Sequence, residues 1–551
     1  MRKTATHWGV MALLLAWLLP GVIGHDPWEP DEGYNFGVVH NMALTGDIVV
    51  PRLAADPFME KPPVYYWAAA GLLRLFSPPL APHDAARLAT PLFLALALWF
   101  TGLLGRETWG GQKGWITPLV LVSAPGLLSH RHLMITDMAL LAGMVMACYG
   151  LLLARRSVWR GGLWLGTGAG LAFMSKGLLG PGILGLSALL LPLVFRDWRN
   201  ASYFKGLAAA ALFALPWLLI WPIALYLRSP ELFLTWLWDN NLGRYLGFSE
   251  LGPPVRPGYW RRNFPVFTFP LLPLTAWYLW RKRREAPWNS GVQLALVVCL
   301  LSWLVLVTAS TAQGFYLLPT LPLLALVSAG GLPLPDLFVR AIYWISALLF
   351  GLLAFLLWGV WGYTVIRGYP PPVEWLEELA MVGYLIQVGP WRLFGALVFT
   401  FVWLGFLVRF RPPHPLALMN WPVGLIMGLG VTFSLYLPAV DHLKSFRGVA
   451  ADIAQQLPAS YDCVADINLQ ENERGSLHSF AGITTQHILR PDETRCSFIL
   501  VQTRRKYYPD GMNFGRRWHE IWRGHRPGNE REIFYLFQRV HRSRAETGSG
   551  T

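Results

Sequence analysis

Apolar runs of membrane-span length follow one another along most of the chain, near 8–24, 84–105, 115–130, 134–154, 161–175, 177–195, 205–227, 264–280, 291–309, 316–331, 339–366, 391–409 and 416–437. A bilayer needs about 20 consecutive apolar residues per helical span, so the pattern predicts thirteen transmembrane helices. Two stretches break it. One is the polar connection 25–83, and the other is the tail from about 439 onward. The fold class expected is therefore an all-α polytopic membrane protein of about 13 transmembrane helices with a small C-terminal α/β extracytoplasmic domain. The division falls between 1–438 and 439–551.

Within 25–83 the spacing changes to that of surface helices. Pro30 suits a first helical turn, Phe36, Val39 and Met42 recur at helical spacing, and Thr45-Gly46 supplies a stop. Pro57, Pro62 and Pro63 exclude continuous helix up to Val64, where the amphipathic segment VYYWAAAGLLRLF begins. In the tail, Ser445 to Leu457 has helical spacing, while 497–501 and 533–537 read as strands. Ser543 to Thr551 reads as disordered.

Composition agrees: 54% of residues are hydrophobic and only 14% charged, with a mean hydropathy of +0.38. The net charge of +14 does not point to nucleic acid, because the basic residues cluster between apolar runs, where anionic head groups and the positive-inside rule account for them. If the N-terminus is cytoplasmic, the connections carrying Arg106/Lys113, Arg155/Arg156/Arg160, Arg196/Arg199/Lys205, Arg281 to Arg284 and Arg409/Arg411 all fall inside. The loop 25–83 and the tail then lie outside, in the periplasm of a Gram-negative cell. The first apolar run is read as an uncleaved span rather than a signal peptide, since it is long for a signal core and many spans follow. Of the four cysteines, Cys148 and Cys299 fall in spans; Cys463 and Cys496 lie in the tail, either bridged or as buried thiols.

The candidate chemistry crowds onto the outer side. Asp31 and Glu32 open the loop helix, and the simplest role for both is to complement its N-terminus. In the assumed topology, however, Glu60, Lys61, Arg131, Asp137, Lys176, Arg244 and Tyr316 face the same surface. A carboxylate such as Asp137 costs roughly 2.5–3.5 kcal/mol at the centre of a spanning helix and less near an interface, so it should face a polar cavity or a cation. Each cation alone could be snorkelling to head groups. Convergent with carboxylates, they suggest a phosphorylated lipid beside a general base.

These residues carry a resemblance. The DE pair after the first span, MEKPPVYYW, the TD of the fourth span, Asn241-Leu242-Gly243-Arg244 and the run Phe315 to Leu326 resemble the GT-C membrane glycosyltransferases, in the branch of lipid A aminoarabinose transferase and the protein O-mannosyltransferases. The resemblance implies a polyprenyl-phosphate sugar donor, a lipid or protein acceptor, contact with membrane lipids, and transfer at the periplasmic face of the inner membrane. By motif it makes Asp31 the catalytic acid residue, with Asp137 a second one. Lys61, Arg244 and Tyr316 would hold the donor phosphate, and Glu32, Glu60 and Arg131 would shape the pocket. No cofactor is implied with certainty; a divalent metal is possible at Glu60 with a nearby histidine, but no ligand spacing compels it. One departure concerns Ser310-Thr311-Ala312-Gln313, where relatives often carry a basic residue and Gln313 supplies no charge.

Two other functions fit a many-span chain. A transporter or flippase predicts ionisable groups at mid-membrane and matched broken helices in two halves, whereas here the ionisable groups crowd one surface. A glycan ligase would share the donor site and differ only in the size of what it moves.

Overall fold

The computed structural model describes residues 2–243, 246, 255–285, 288–372, 388–504, 514 and 517–540. Arg244 and the 543–551 segment lie outside the described residues. Among those described, seven helices are long and apolar enough to cross a membrane: Pro82–Trp109, Asp137–Ala154, Ala201–Arg228, Ser290–Thr308, Asp336–Arg367, Pro390–Arg409 and Ala417–Leu435. Each matches one of the expected runs. The other six runs form helices that are shorter, broken or, in Val158–Lys176, less apolar, and the breaks have local causes. Pro125 divides 115–130 into Ile116–Leu121 and Pro125–His130, and Pro270 divides 264–280 into Tyr259–Thr268 and Leu271–Arg281. The 316–331 run begins as a tight turn of 3-10 helix, Gly314–Thr320, before the helix Leu321–Gly330. The first run forms Arg2–Leu18, and the Gly-rich region forms two helices, Val158–Lys176 and Leu179–Val194.

The peripheral helices leave large apolar side chains bare, among them Ile220, Leu227, Leu348, Phe355, Ile366 and Phe401. Such faces suit hydrocarbon rather than water, and with seven apolar helices they make this a multi-pass membrane protein. Asp137–Ala154 is instead enclosed on all sides. It packs against Val158–Lys176 through a seam of small residues: a Cβ on Gly143 would meet the Ala172 nitrogen at 2.6 Å, and one on Gly150 would strike the Leu165 nitrogen. Backbones that close fix the first residue of one helix, Asp137, beside the last of the other, Lys176.

The connection 25–83 folds as its spacing predicts. A helix runs Glu32–Thr45 and ends at Gly46, whose φ of 74° is the left-handed conformation glycine adopts without strain. A short ribbon, β1 (Arg52–Leu53) with β2 (Asp56–Pro57), precedes the helix Val64–Phe76. The loop helix is covered by the tail helix Glu471–Ala481, and again glycines permit it: a Cβ on Gly37 would lie 2.8 Å from the Gly475 Cα, and one on Gly33 would strike Asn472. Asn472 Oδ1 instead accepts the Gly33 N–H at 3.0 Å.

The tail contains a helix Arg447–Gln456 and five strands: β3 (Val464–Ile467), β4 (Thr485–His487), β5 (Phe498–Arg504), β6 (Trp518–Gly524) and β7 (Glu532–Arg539). Their order in the sheet is β4-β3-β5-β7-β6, parallel at β4-β3-β5 and antiparallel beyond. Two of these strands, β5 and β7, are the ones the apolar runs predict. Cys463 and Cys496 form a disulfide at the head of β3 and β5.

Candidate active site

A cavity of about 940 Å³ opens where the loop 25–83, the ends of the apolar helices and the tail converge. Asp31, Glu60, Lys61, Asp137, Lys176, Tyr316 and Gln313 all line it. Residues from 31 to 316 of the sequence thus reach one cavity.

Asp31 occupies the N-cap position of the loop helix, but its side chain makes no capping bond. Its Oδ1 accepts instead from the Tyr34 hydroxyl at 2.9 Å, and that oxygen accepts from Lys61 Nζ at 2.5 Å. One helical turn separates Asp31 from Tyr34, which brings the two side chains onto one face. Burial, with Asp31 next to it, pushes the Tyr34 pKa well above that of a free phenol, so the hydroxyl stays a neutral donor to the carboxylate. Asn35 fixes the turn from behind: its side chain donates to the Asp31 carbonyl at 2.8 Å and to the Met134 carbonyl at 2.9 Å. The loop helix is thereby tied to the segment that leads into Asp137.

Asp137 is 1% exposed and paired with Lys176 at 2.7 Å. Lys176 Nζ also stands 4.1 Å from the centre of the Tyr316 ring, so a cation from another helix lies beside the loop in which Gln313 supplies no charge. The cavity therefore carries two lysines within reach of two aspartates, with apolar wall such as Leu140, Met144, Ile183 and Val305 leading toward the spans.

Glu32 and Arg131 do not line this cavity. Glu32 turns the other way from Asp31 and is 1% exposed, with Oε1 accepting from Arg87 Nε at 3.0 Å and from the Met134 N–H at 2.9 Å. Burial pushes its pKa up, but the charges of Arg87 and His25 and the Met134 hydrogen bond outweigh that and leave it below the ordinary value. Arg131 is sealed between the Trp17 and Phe433 rings, donating to the Leu18 carbonyl at 3.1 Å. Both are long polar chains in a crowded turn, and sequence proximity to the site gives no hint of which way either points.

Residues missed in the sequence form the roof. Leu469 to Glu473 of the tail, with Glu532 of β7 and Glu29 of the first loop, close the outer side of the cavity. Arg526 joins them, 2.6 Å from both Glu29 and Glu532. Burial, together with Glu29 beside it, pushes Glu473 up to about 8. Tyr34 had a usable signal, its helical spacing from Asp31; the roof had none, since more than 400 residues separate its parts.

The sequence profile of the dolichyl-phosphate-mannose-protein mannosyltransferase family matches residues 60–221. Compared as a fold, the chain superposes on the crystal structure of ArnT from Cupriavidus metallidurans in the apo state with a TM-score of 0.73, at 17% identity, covering 97% of this chain and 98% of that one. The fold is that of ArnT. The same ArnT bound to undecaprenyl phosphate gives a TM-score of 0.71 at 18% identity. Among sequences, the chain is similar to an undecaprenyl phosphate-alpha-4-amino-4-deoxy-L-arabinose arabinosyl transferase of Pseudomonas fluorescens, 28% identical over 51% of this chain and 50% of its own length. A transferase of the same name from Edwardsiella ictaluri is 25% identical over 85% of this chain and 83% of its own. The chain thus spans about half the length of the first of these relatives and most of the second. The likeness carried by the DE pair and the EKPP segment extends to the fold.

Proposed function

We propose that the protein transfers a single sugar from a polyprenyl-phosphate carrier to an acceptor at the external face of the membrane, the periplasmic face of the inner membrane in a Gram-negative cell. The observation that carries this reading is the pairing of cations with carboxylates in one cavity: Lys61 with Asp31 through Tyr34, and Lys176 with Asp137. A sugar phosphate already holds its activation in the bond to be broken, so catalysis needs charge stabilisation at the leaving phosphate and a group to receive or orient the acceptor. Lys61 and Lys176 serve the first need, with Tyr316 and Arg244 assigned to the phosphate alongside them. Asp31 serves the second: it takes the proton of a hydroxyl acceptor or positions an acceptor that is itself a phosphate. Asp137 holds Lys176 in place, and Glu60 shapes the pocket entrance. On this reading residues 1–438 carry the transfer and 439–551 form an external roof over it.

The relatives' names make an undecaprenyl-phosphate aminoarabinose the first donor to test and lipid A the first acceptor. Purified full-length protein in liposomes, supplied with both, should add one sugar mass to lipid A, read by mass spectrometry. Movement of the labelled carrier across the vesicle membrane with no transfer to any acceptor would overturn the reading in favour of a flippase.

A further inference from the structure

Glu29, Glu473 and Glu532 come from the first loop, the tail helix and β7, and their nearest oxygens all lie within 4.8 Å of one another. Arg526, 3% exposed, neutralises only part of this charge: its Nη2 bridges Glu29 Oε1 and Glu532 Oε2. Glu473 is left over. It is 1% exposed, its Oε1 has one long 3.4 Å contact from the Asn472 amide, and its Oε2 has no hydrogen-bond donor among the described residues. A buried carboxylate without a partner is costly, and a tail that packed only for stability would do better with an apolar residue there.

We propose that these three glutamates bind a hard divalent cation of the Mg²⁺, Ca²⁺ or Mn²⁺ class, which joins the first loop to the tail over the cavity. The donor set consists of carboxylate oxygens with no histidine or cysteine, which selects for hard cations over zinc. Oxygens bound to one Ca²⁺ at about 2.3–2.6 Å lie up to about 5 Å apart, so the spacing needs little adjustment. Each carboxylate oxygen has two lone pairs, so Glu29 and Glu532 can keep Arg526 while taking a metal. The site would act as a clasp: it ties Glu29, two residues before Asp31, to two points of the tail that are 59 positions apart in the sequence. This inference does not depend on which sugar is transferred.

The test is Mn²⁺ titration of the purified full-length protein in detergent, with free Mn²⁺ followed by electron paramagnetic resonance. One ion per chain should bind with a dissociation constant of about 10⁻⁴–10⁻³ M, as at other extracellular oxygen sites, and Ca²⁺ should displace it. Glu473→Gln should weaken binding by about tenfold or more, while Glu60→Gln, in the cavity wall, should leave it unchanged. If Glu473→Gln does not fold, Glu29→Gln carries the same expectation from a partly exposed position. A Ca²⁺-dependent rise in melting temperature should be present in the unmodified protein and lost with the binding. No saturable binding at ten times the expected constant, equal affinity in both glutamate variants of the cluster, or loss in Glu60→Gln alone would each overturn the proposal.

Discussion

Two charged regions meet at the start of the loop helix, and they are built on opposite principles. Behind the helix, Glu32, Arg87 and Asp84 form a sealed group in which Arg87 donates to both carboxylates and to the carbonyls of Val22, His25 and Asp26. Asp26 extends it to Ser445 and Arg447 of the tail, and Asp441 accepts from the Asp26 N–H and the Trp28 indole. In front of the helix, Asp31, Lys61, Asp137 and Lys176 face a cavity and keep spare hydrogen-bonding capacity. The lesson is that charge alone does not mark a site. The buttress has its polar groups matched inside the protein, whereas the cavity wall has polar groups left for a ligand.

The comparison can be broken at either side, and the largest effect should come from the buttress. Removing one partner of a buried ion pair costs about 3–5 kcal/mol, so Glu32→Ala or Arg87→Met should abolish recovery of folded protein by size exclusion. Normal yield and melting behaviour would show that the pair is no more structural than the cavity residues. The same region predicts acid lability: Glu32 titrates lower folded than unfolded, so its contribution is full above the unfolded carboxylate value and is lost as pH falls through the folded one.

Next in size is the change at the neighbouring position. Asp31→Asn keeps an oxygen for the Tyr34 hydroxyl, so the protein should fold with an unaltered melting temperature. Loss of a general base typically costs about 10²–10⁴-fold in rate, and turnover with the lipid-linked donor should fall by that range. Near-normal turnover would reduce Asp31 to a scaffold residue like Glu32.

Smaller effects belong to the lysines. Hydrogen bonds to charged groups contribute about 1.5–3 kcal/mol, so Lys61→Ala should weaken binding of the donor phosphate by about tenfold to a hundredfold, measured by calorimetry. Lys61→Arg should restore part of it, because a planar guanidinium replaces a compact ammonium. Unchanged donor affinity in both Lys61→Ala and Lys176→Ala would remove the phosphate from this wall.

The smallest effect has the opposite sign. Burial, with Asp26 adding to it, holds Asp441 up at about 6. A carboxyl with a raised folded value weakens the fold as pH rises from the unfolded value, about 3.9, toward 6, and the loss persists above. Asp441→Asn retains an acceptor for the Trp28 indole and should raise the melting temperature by a few degrees at pH 7, with no gain at pH 4. A loss of stability at pH 7 would show that the charge itself is needed to balance Arg447.

The cavity wall was more legible in the sequence than the buttress or the roof. Asp31, Lys61, Asp137 and Tyr316 are ionisable or aromatic groups at the ends of apolar runs, where polarity stands out against its surroundings. Glu32 and Arg131 stand out equally but point elsewhere, because side-chain direction within a turn depends on packing partners such as Arg87 and Trp17 that local spacing does not reveal. Hydropathy likewise does not reveal that Pro125 and Pro270 divide apolar runs into shorter helices. In the tail, β5 and β7 are apolar and were readable, whereas β6, with Trp518, His519, Glu520 and Arg523, is a half-exposed strand at the edge of the sheet.

The Gly33 N–H bond to Asn472 spans 439 positions of the chain. During synthesis the loop helix therefore emerges long before the residues that cover it, and the cavity has no lid until the ribosome has passed Glu532. A stop codon placed between Leu435 and Leu469 leaves all seven long apolar helices of the described residues intact and still removes the roof. Nascent chains thus pass through a stage in which they are inserted in the membrane but cannot yet close the site, and synthesis of the tail completes a cavity whose two lysines and two aspartates, Asp31, Lys61, Asp137 and Lys176, lie in the first third of the chain.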